Sequence, residues 1–340
     1  MSSTKDSTRR RLAALAAAPA VAALVLFGLP ATAGAAGGTV NLVAYSTPKP
    51  AYTVLVKAFN ATKGGQGVTV VQSYGPSGTQ ATNVISGLPA TVVNFSLAPD
   101  MQKLVAAGDV AADWDKGPTK GFVTDSIVSF IVRAGNPKHI KTWTDLVKAG
   151  VQVITPNPFS SGSAKWNLMA AYGAQLNEGK SKAKATAYLG KLLKNTVSQP
   201  TSASTALQTF LSGEGDVLLD YEDDALYAKN QGSAISIVTP PQSILIQNPI
   251  AVTTKATNPA SAKALVAYLL SPAGQKLWGK QGYRPVLPAV AKQFKFPQPK
   301  KLFTITSLGG WTKVNTVFFD PEKGVITRIE SGLGVSTAKS

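Results

Sequence analysis

Short β-strand patterns alternate with helix patterns along most of this 340-residue chain, and this alternation limits the possible folds more than any other feature. The first strand pattern is the apolar run 40–45. It is followed by Tyr52, Leu55, Val56 and Phe59, whose spacing of three and four residues gives one apolar helix face. Strands separated by helices of this length predict an α/β fold with parallel strands and right-handed crossovers.

The same pattern continues and then starts again near residue 143. Further strand patterns occur at 68–72, 92–95, 127–132, 151–154 and 217–219, and further helix patterns at 78–85, 164–172 and 262–270. The restart predicts two α/β lobes, each with its own open sheet. Ligands of such sheets bind outside the carboxyl ends of the strands, where the next helices begin.

The first 35 residues have the pattern of a secretory leader. Lys5 and the arginines at 9–11 precede an apolar stretch over 12–29, and Ala-x-Ala sequences follow at 31–35. Pro19 interrupts the apolar stretch and argues against an uncleaved membrane anchor. We therefore predict a cleaved leader and export to the periplasm or a similar extracellular envelope space. Export by the Sec or the twin-arginine route stays open.

Residue counts exclude many classes of site. The chain has no cysteine and one histidine, His139, which excludes disulfides, thiolate metal sites, lipid attachment at cysteine and multi-histidine metal sites. The leader holds four basic residues and one acidic residue, so its removal lowers the net charge from +17 to +14. Such a charge attracts anions. Because the basic residues are scattered, we expect no nucleic-acid partner.

Three of the predicted strand-to-helix turns are rich in serine and glycine. They are 73–80, 157–164 and 201–204, and each presents Ser-Gly or Ser-Ala where a helix begins. A helix start leaves backbone N–H groups unpaired and carries about half a positive charge. If the three starts converge, they form a neutral cage for a tetrahedral anion. The alternative is that serine and glycine only cap these helices, as they do in many proteins.

A fourth turn is acidic instead, with Asp220, Glu222, Asp223 and Asp224 around Tyr221. Acidic side chains at a helix start interact favourably with the helix dipole. This interpretation accounts for the cluster without a ligand, so we predict neither a metal site nor a cofactor.

Five segments, in the same order, resemble the sulfate- and thiosulfate-binding proteins of ABC importers. Residues 157–167, NPFSSGSAKWN, are similar to the N-P-[KR]-[TS]-S-G-G-A-R-W-N segment of that family, and 215–223, GDVLLDYED, to its G-D-V-L-[LI]-A-W-E-N. Residues 74–80, 283–285 and 309–313 resemble three further signatures. The resemblance extends from about residue 40 to residue 330.

The resemblance implies an α/β fold of the periplasmic-binding-protein type II, with two lobes, two crossover segments and a ligand cleft between the lobes. Lobe one would comprise 40–125 plus 250–330, and lobe two 126–249, with the return crossover near 235–241 and a polar tail at 331–340. The implied function is that of an exported, monomeric solute-binding protein, not an enzyme. It would deliver sulfate or thiosulfate to an ABC permease and its ATPase.

The resemblance also implies a set of ligand contacts, carried over by position: Ser46, Ser77, Ser161, Gly162, Ser163, Ala203 and Tyr221. Three of these depart from the family. Tyr221 replaces a tryptophan, Ser163 a glycine and Ser46 an acidic residue. Sulfate or thiosulfate is therefore the first candidate ligand, and another oxyanion such as molybdate or phosphate the second.

The sequence has two alternatives to anion transport. A cell-surface interaction module could keep the fold without binding anions. A secreted serine hydrolase is disfavoured, because no G-x-S-x-G elbow follows a strand.

Overall fold

The computed structural model describes residues 37–337, so the predicted leader and the last three residues of the tail lie outside the described residues. Strands and helices alternate as predicted. The strands are β1 (Gly38–Tyr45), β2 (Val68–Gly75), β3 (Val92–Asn94), β4 (Phe122–Arg133), β5 (Val153–Ile154), β6 (Thr196–Ser198), β7 (Val217–Tyr221), β8 (Ile235–Val238), β9 (Gln242–Val252), β10 (Arg284–Pro285) and β11 (Lys301–Phe303). The helices are α1 (Lys49–Asn60), α2 (Ser77–Ile85), α3 (Ala98–Ala106), α4 (Gly162–Asn177), α5 (Lys182–Lys194), α6 (Ala203–Leu211), α7 (Glu222–Asn230), α8 (Pro259–Leu270), α9 (Pro272–Lys280), α10 (Pro288–Ala291), α11 (Gly310–Phe318) and α12 (Val325–Gly332).

The strands pair in the order β2-β1-β3-β9-β4-β7-β5-β6, with β8 and β10 beside β4 and β11 beside β9. At both ends the prediction of parallel strands is confirmed, since β1 runs parallel to β2 and β3, and β5 runs parallel to β6 and β7. In the middle it is wrong, because β9 is antiparallel to β3 and β4 is antiparallel to β7. These two strands carry the chain between the two halves of the sheet, so they run against their neighbours.

The strands β4 and β9 form the connection between the two lobes. They pair with each other through residues 122–127 and 245–249, and beyond that stretch β9 joins β3 while β4 joins β7. The two-lobed fold with two crossover segments is therefore confirmed. The return crossover is β9 itself. The segment proposed for it, 235–241, instead supplies β8, an antiparallel neighbour of β4.

The lobes have distinct hydrophobic cores built around aromatic side chains. In the lobe that contains β1, the apolar face of α1 is buried as predicted, and Tyr52 packs edge-on against Trp278 with ring centroids 5.2 Å apart. In the other lobe, Phe130 and Trp143 make a similar contact at 4.8 Å. Burial of such side chains stabilises the fold by roughly 1.5–3 kcal/mol each.

None of the helices within residues 37–337 is long and apolar enough to cross a bilayer.

A carboxyl group in the crossover region gives a prediction for the pH dependence of stability. Asp125 lies in β4 opposite Arg284 of β10. Burial raises the pKa of Asp125 to about 7, although a hydrogen bond from Gln247 and the charge of Arg284 act to lower it. A raised pKa in the folded state means that stability is greatest at low pH and is lost as the pH rises through about 7.

We therefore expect the free energy of unfolding to fall by about 2–3 kcal/mol between about pH 5 and pH 8 on account of this group. Asp125→Asn should remove that part of the pH dependence. Urea unfolding at several pH values measures it for both proteins. If the two pH profiles ran parallel, Asp125 would not be the titrating group.

Candidate functional site

Three helices begin at one small cavity between the lobes, which confirms the predicted convergence of the serine- and glycine-rich turns. Helix α2 starts at Ser77, α4 at Gly162 and α6 at Ala203. The cavity has an empty volume of about 160 Å³. The residues that line it are Tyr45, Ser46, Pro76, Ser77, Ser96, Ser161, Gly162, Ser163 and Ala203. Six of the seven predicted site residues are among them, and Tyr221 is the exception.

The helix starts supply backbone donors at the cavity, although two first-turn N–H groups already have acceptors. Gly78 donates to the Ser160 carbonyl at 3.3 Å and Ser204 donates to Ser46 Oγ at 3.5 Å. Among the described residues, no side chain caps α2, which follows Pro76, or α4, which follows the extended Ser161. Helix α6 is capped by Ser202, but this cap reaches Thr205, beyond the first helical residue Ala203. First-turn N–H groups have no partner within their own helix. Together with the helix dipoles they make the cavity a favourable place for a negative charge.

Two of the serine hydroxyls in the cavity wall are already engaged by carboxyl groups. Ser77 Oγ donates to Asp100 Oδ2 at 2.7 Å and accepts from the N–H of Ser96 at 3.1 Å. Ser163 Oγ donates to Asp220 Oδ1 at 3.4 Å. An anion in the cavity therefore competes with these carboxyl groups for the hydroxyl hydrogens. Asp100, in the first turn of α3, was not predicted as part of the site.

Tyr221 lies behind the cavity wall. Its side chain is fully buried, and its hydroxyl is 2.7 Å from Ser96 Oγ, which does line the cavity. Tyr221 packs beside Tyr45, with ring centroids 6.4 Å apart. The direct ligand contact inferred for Tyr221 remains a prediction. In this structure Ser96 stands between its hydroxyl and the cavity.

Ser46 approaches α6 from the β1 side of the cavity. Its Oγ accepts from the N–H of Ser204 at 3.5 Å, which links the loop after β1 to the start of α6. Trp166 of α4 makes a second connection between the lobes by donating from Nε1 to the Ser96 carbonyl at 2.9 Å. The indole also packs against Trp311 at 4.6 Å, as expected for a packing residue. The lobes are thus closed over the cavity.

The acidic turn lies beside this site. The side chains of Asp220, Glu222, Asp223 and Asp224 are all buried. Glu222 has a cationic partner, because Arg284 donates from Nε at 2.7 Å and from Nη2 at 3.1 Å. Burial raises the pKa of Glu222, while the Arg284 guanidinium acts to lower it. Within residues 37–337, no group of three or more acidic or histidine side chains is arranged to hold a metal ion.

Sequence reasoning missed Ser96, Tyr45 and Asp100, which surround the predicted residues. Ser96 follows β3 and contacts the site through both its hydroxyl and its backbone. The signal that could have found it is its place at the carboxyl end of a predicted strand, the edge where ligands of α/β sheets bind. Tyr45 ends β1 at the same edge.

Comparison with known proteins places the chain in a family. Residues 40–284 match the family model described as bacterial extracellular solute-binding protein. The chain is 40% identical to a sulfate-binding protein of Escherichia coli, over 82% of this chain and 88% of that protein. It is 34% identical to a thiosulfate-binding protein of Pseudomonas aeruginosa, over 84% and 88% of the two chains.

A solved structure agrees with these relatives. The sulfate-binding protein SubI from Mycobacterium tuberculosis is 44% identical and superposes with a TM-score of 0.81, over 83% of this chain and 99% of that one. The family resemblance inferred from the five sequence segments is thereby confirmed. The chain belongs to the family of bacterial extracellular solute-binding proteins, together with the sulfate- and thiosulfate-binding proteins that it resembles.

Proposed function

We propose that this protein captures sulfate, or the related dianion thiosulfate, for an ABC importer. The observation that carries the proposal is the meeting of α2, α4 and α6 at one closed cavity whose lining side chains are all uncharged. Backbone N–H groups and hydroxyls can hold a dianion without a cationic side chain, because the helix dipoles favour negative charge. Two of its relatives are named as a sulfate-binding and a thiosulfate-binding protein, which supports the same class of ligand.

The proposed ligand contacts are those that line the cavity. Ser46, Ser77, Ser161, Gly162, Ser163 and Ala203 would contact the anion through backbone N–H groups and hydroxyls. Tyr221 would act through Ser96, to which its hydroxyl is bonded. On binding, the hydroxyls of Ser77 and Ser163 would turn from their carboxyl partners towards the anion.

The proposed setting is extracytoplasmic. The predicted leader would be cleaved, and the exported monomer, without a lipid anchor, would deliver its anion to a membrane permease driven by an ATPase. Lobe one would comprise 40–125 plus 250–330 and lobe two 126–249, and hinge motion between them would open the cavity.

Thermal unfolding of the purified protein with a panel of anions tests the proposal. Sulfate, thiosulfate, molybdate and phosphate are compared at constant ionic strength, with chloride as the reference. A ligand at about 100 times its Kd stabilises the folded state by about 2.7 kcal/mol. At roughly 2–4 °C per kcal/mol, we expect sulfate or thiosulfate to raise Tm by at least 5 °C.

Two serine variants show where the anion acts. Ser161 and Ser181 both precede helices, α4 and α5, but only Ser161 lines the cavity. Ser161→Ala should reduce the anion-induced rise in Tm, whereas Ser181→Ala should lower Tm without changing that rise. A selective response to molybdate or phosphate would change the ligand. The absence of a response to every anion would favour the interaction module over the binding protein.

A further inference from the structure

Three carboxyl groups are buried where the two lobes meet, directly behind the anion cavity. Asp220 ends β7, and Asp223 and Asp224 lie in the first turn of α7. Their exposed fractions are 0%, 1% and 5%. Three negative charges this close together in a dry environment repel one another strongly, since burial removes the water that would screen them.

Each carboxyl is held by a neutral hydroxyl. Ser163 donates to Asp220, Ser126 donates to Asp223 at 2.5 Å, and Thr47 donates to Asp224 at 2.9 Å. A second oxygen on Asp220 and on Asp223 has no hydrogen-bond partner among the described residues. Asp220 also accepts from the N–H of Tyr221 at 2.9 Å. One or two neutral donors do not compensate a buried charge fully, whereas a protonated carboxyl needs far less compensation.

The contacts also connect the carboxyls to the cavity and to lobe closure. Ser163 lines the cavity and bonds to Asp220, so the nearest carboxyl is one hydroxyl away from the anion. Thr47 follows the lining residue Ser46 and reaches Asp224 from the opposite lobe. Opening the lobes would separate Thr47 from Asp224 and return this carboxyl to water.

The titratable groups that face the carboxyls from other elements are phenols. Tyr45 of β1 and Tyr283, next to β10, lie against Asp223 and Asp224, and Tyr221 lies beside all three. The buried cation that follows Tyr283, Arg284, is engaged by Glu222. The surroundings of the three carboxyls therefore favour their neutral form.

These surroundings raise the pKa values of the three carboxyl groups. Burial raises the pKa of Asp220, Asp223 and Asp224 well above the ordinary value, and repulsion among the three carboxylates raises it further. The hydrogen bonds to the carboxyls lower their pKa values but are outweighed. They come from the Tyr221 N–H and Ser163 to Asp220, from Ser126 and Tyr283 to Asp223, and from Thr47 to Asp224. A dianion in the cavity would add a further negative charge beside Ser163 and Asp220.

We infer that the protein takes up at least one proton on the Asp220, Asp223 and Asp224 carboxyls when it closes over its anion. The inference rests on the proposed function, since it describes how the same cavity holds a dianion. Opening would withdraw Thr47, Tyr45 and Tyr283 from Asp223 and Asp224, so these two carboxyls would be more exposed to water and more readily ionised in the open form. Closure and the anion both disfavour that charge, so binding draws a proton from solution.

A second, narrow cavity offers the proton a route. It has an empty volume of about 200 Å³ and is lined by residues of both lobes, among them Thr47, Asp223, Asp224, Tyr227 and Gln281. A water-sized space that reaches two of the carboxyls allows their protons to exchange with solvent in the closed form.

Uptake of a proton on binding makes the Kd for the anion depend on pH. Because the carboxyl pKa values are higher in the closed form than in the open form, binding is tightest at low pH. The Kd should rise by up to tenfold per pH unit, about one power of ten for each proton taken up, as the pH passes from the ordinary carboxyl range through the raised values.

Two measurements on the purified protein test the inference. Sulfate does not change its own charge between about pH 5.5 and pH 8.5, so titration calorimetry with sulfate over this range isolates the protein's protons. Two amine buffers with different ionisation enthalpies give the number of protons taken up. A pH electrode in weakly buffered solution measures the same number directly on mixing, without any variant.

Asparagine variants show which carboxyl group takes up the proton. Asp220→Asn and Asp223→Asn should each reduce the uptake and flatten the dependence of Kd on pH, while the exposed Asp113→Asn should leave both unchanged. Sulfate binding with no proton uptake and a flat pH profile would overturn this inference alone. Uptake that persists in the double variant Asp220→Asn/Asp223→Asn would also overturn it. No binding of any anion would overturn the proposed function as well.

Discussion

Replacing Gly162 with alanine is expected to weaken anion binding by about 10- to 100-fold, because the new methyl group would hold the lobes apart. Gly162 is the first residue of α4 and lines the cavity. A Cβ built there would lie 2.7 Å from both Leu97 Cδ2 and Ser96 Oγ, which belong to the opposite side of the cleft. Overpacking of this kind costs about 1–3 kcal/mol, and each 1.4 kcal/mol is a factor of ten in Kd.

The Gly162→Ala substitution should oppose closure of the lobes without changing the stability of each lobe. With the lobes open, Ser96 and Leu97 would lie farther from Gly162, and the alanine would meet no such obstacle. We therefore expect the Tm without anion to change little, while the Tm rise caused by sulfate shrinks. Calorimetric titration gives Kd, and thermal unfolding with and without sulfate gives the two Tm values.

Gly190→Ala is the matched control. Gly190 lies within α5, and a Cβ at this position meets no atom within 4 Å among the described residues. Alanine in a helix interior stabilises by roughly 0.5–1 kcal/mol relative to glycine, so this variant should gain stability and keep its Kd. Unchanged sulfate affinity in Gly162→Ala would show that the close approach of α4 to Ser96 is not needed for binding.

The helix starts at the cavity could be predicted from sequence because they are local features. The turn 157–164 places serine and glycine between a strand and a helix, and both flanking patterns are visible in the chain itself. The meeting of α2, α4 and α6 then follows from the common edge of the sheet. The partners of the hydroxyls are not local, since Asp100 and Ser96 are 23 and 19 residues from Ser77.

The directions of β4 and β9 could not be predicted in the same way. Strand patterns show where a strand is, but the alternation of strands and helices suggests only parallel pairing. The two strands pair across a separation of more than 100 residues, and their antiparallel direction depends on the chain leaving one lobe and returning to it. The resemblance to a known family, not periodicity, implied the two crossover segments.

The acidic turn shows a further limit of sequence reasoning. Glutamate and aspartate at a helix start suggest a solvated first turn, yet Asp220 and Asp223 are buried. The loop after β1 and the segment around Tyr283, both from the opposite lobe, cover Asp223 and Asp224 at the start of α7. Asp220 is enclosed by its own lobe, where Ser163 donates to it. No pattern within the turn itself indicates this cover.

Removing the guanidinium of Arg284 is expected to produce the largest loss of stability among single changes proposed for this protein. Arg284 makes two hydrogen bonds to Glu222, donates to the carbonyl of Pro297 and to the side chain of Gln298, and lies over the ring of Phe296. Glu222 is 1% exposed. Without Arg284 it would remain as a buried, unpaired carboxylate, which costs about 3–5 kcal/mol.

Arg284→Met keeps most of the side-chain volume and removes the charge, so its effect reports the ion pair. At roughly 2–4 °C per kcal/mol, Tm should fall by about 10 °C. The ion pair between the exposed Lys148 and the partly buried Asp145 supplies the control, since Lys148→Ala should cost no more than about 1 kcal/mol. Thermal and urea unfolding of the three proteins give these values.

A double variant separates the contribution of the Arg284–Glu222 ion pair from that of the packing around Arg284. Replacing both partners, as Glu222→Gln with Arg284→Met, removes the unpaired charge and should recover part of the stability lost in Arg284→Met alone, because the main cost is the uncompensated carboxylate. If the double variant were as unstable as the single one, the Arg284 contacts with Phe296, Pro297 and Gln298 would account for the loss. The pair with Glu222 would then contribute little to the stability of the fold.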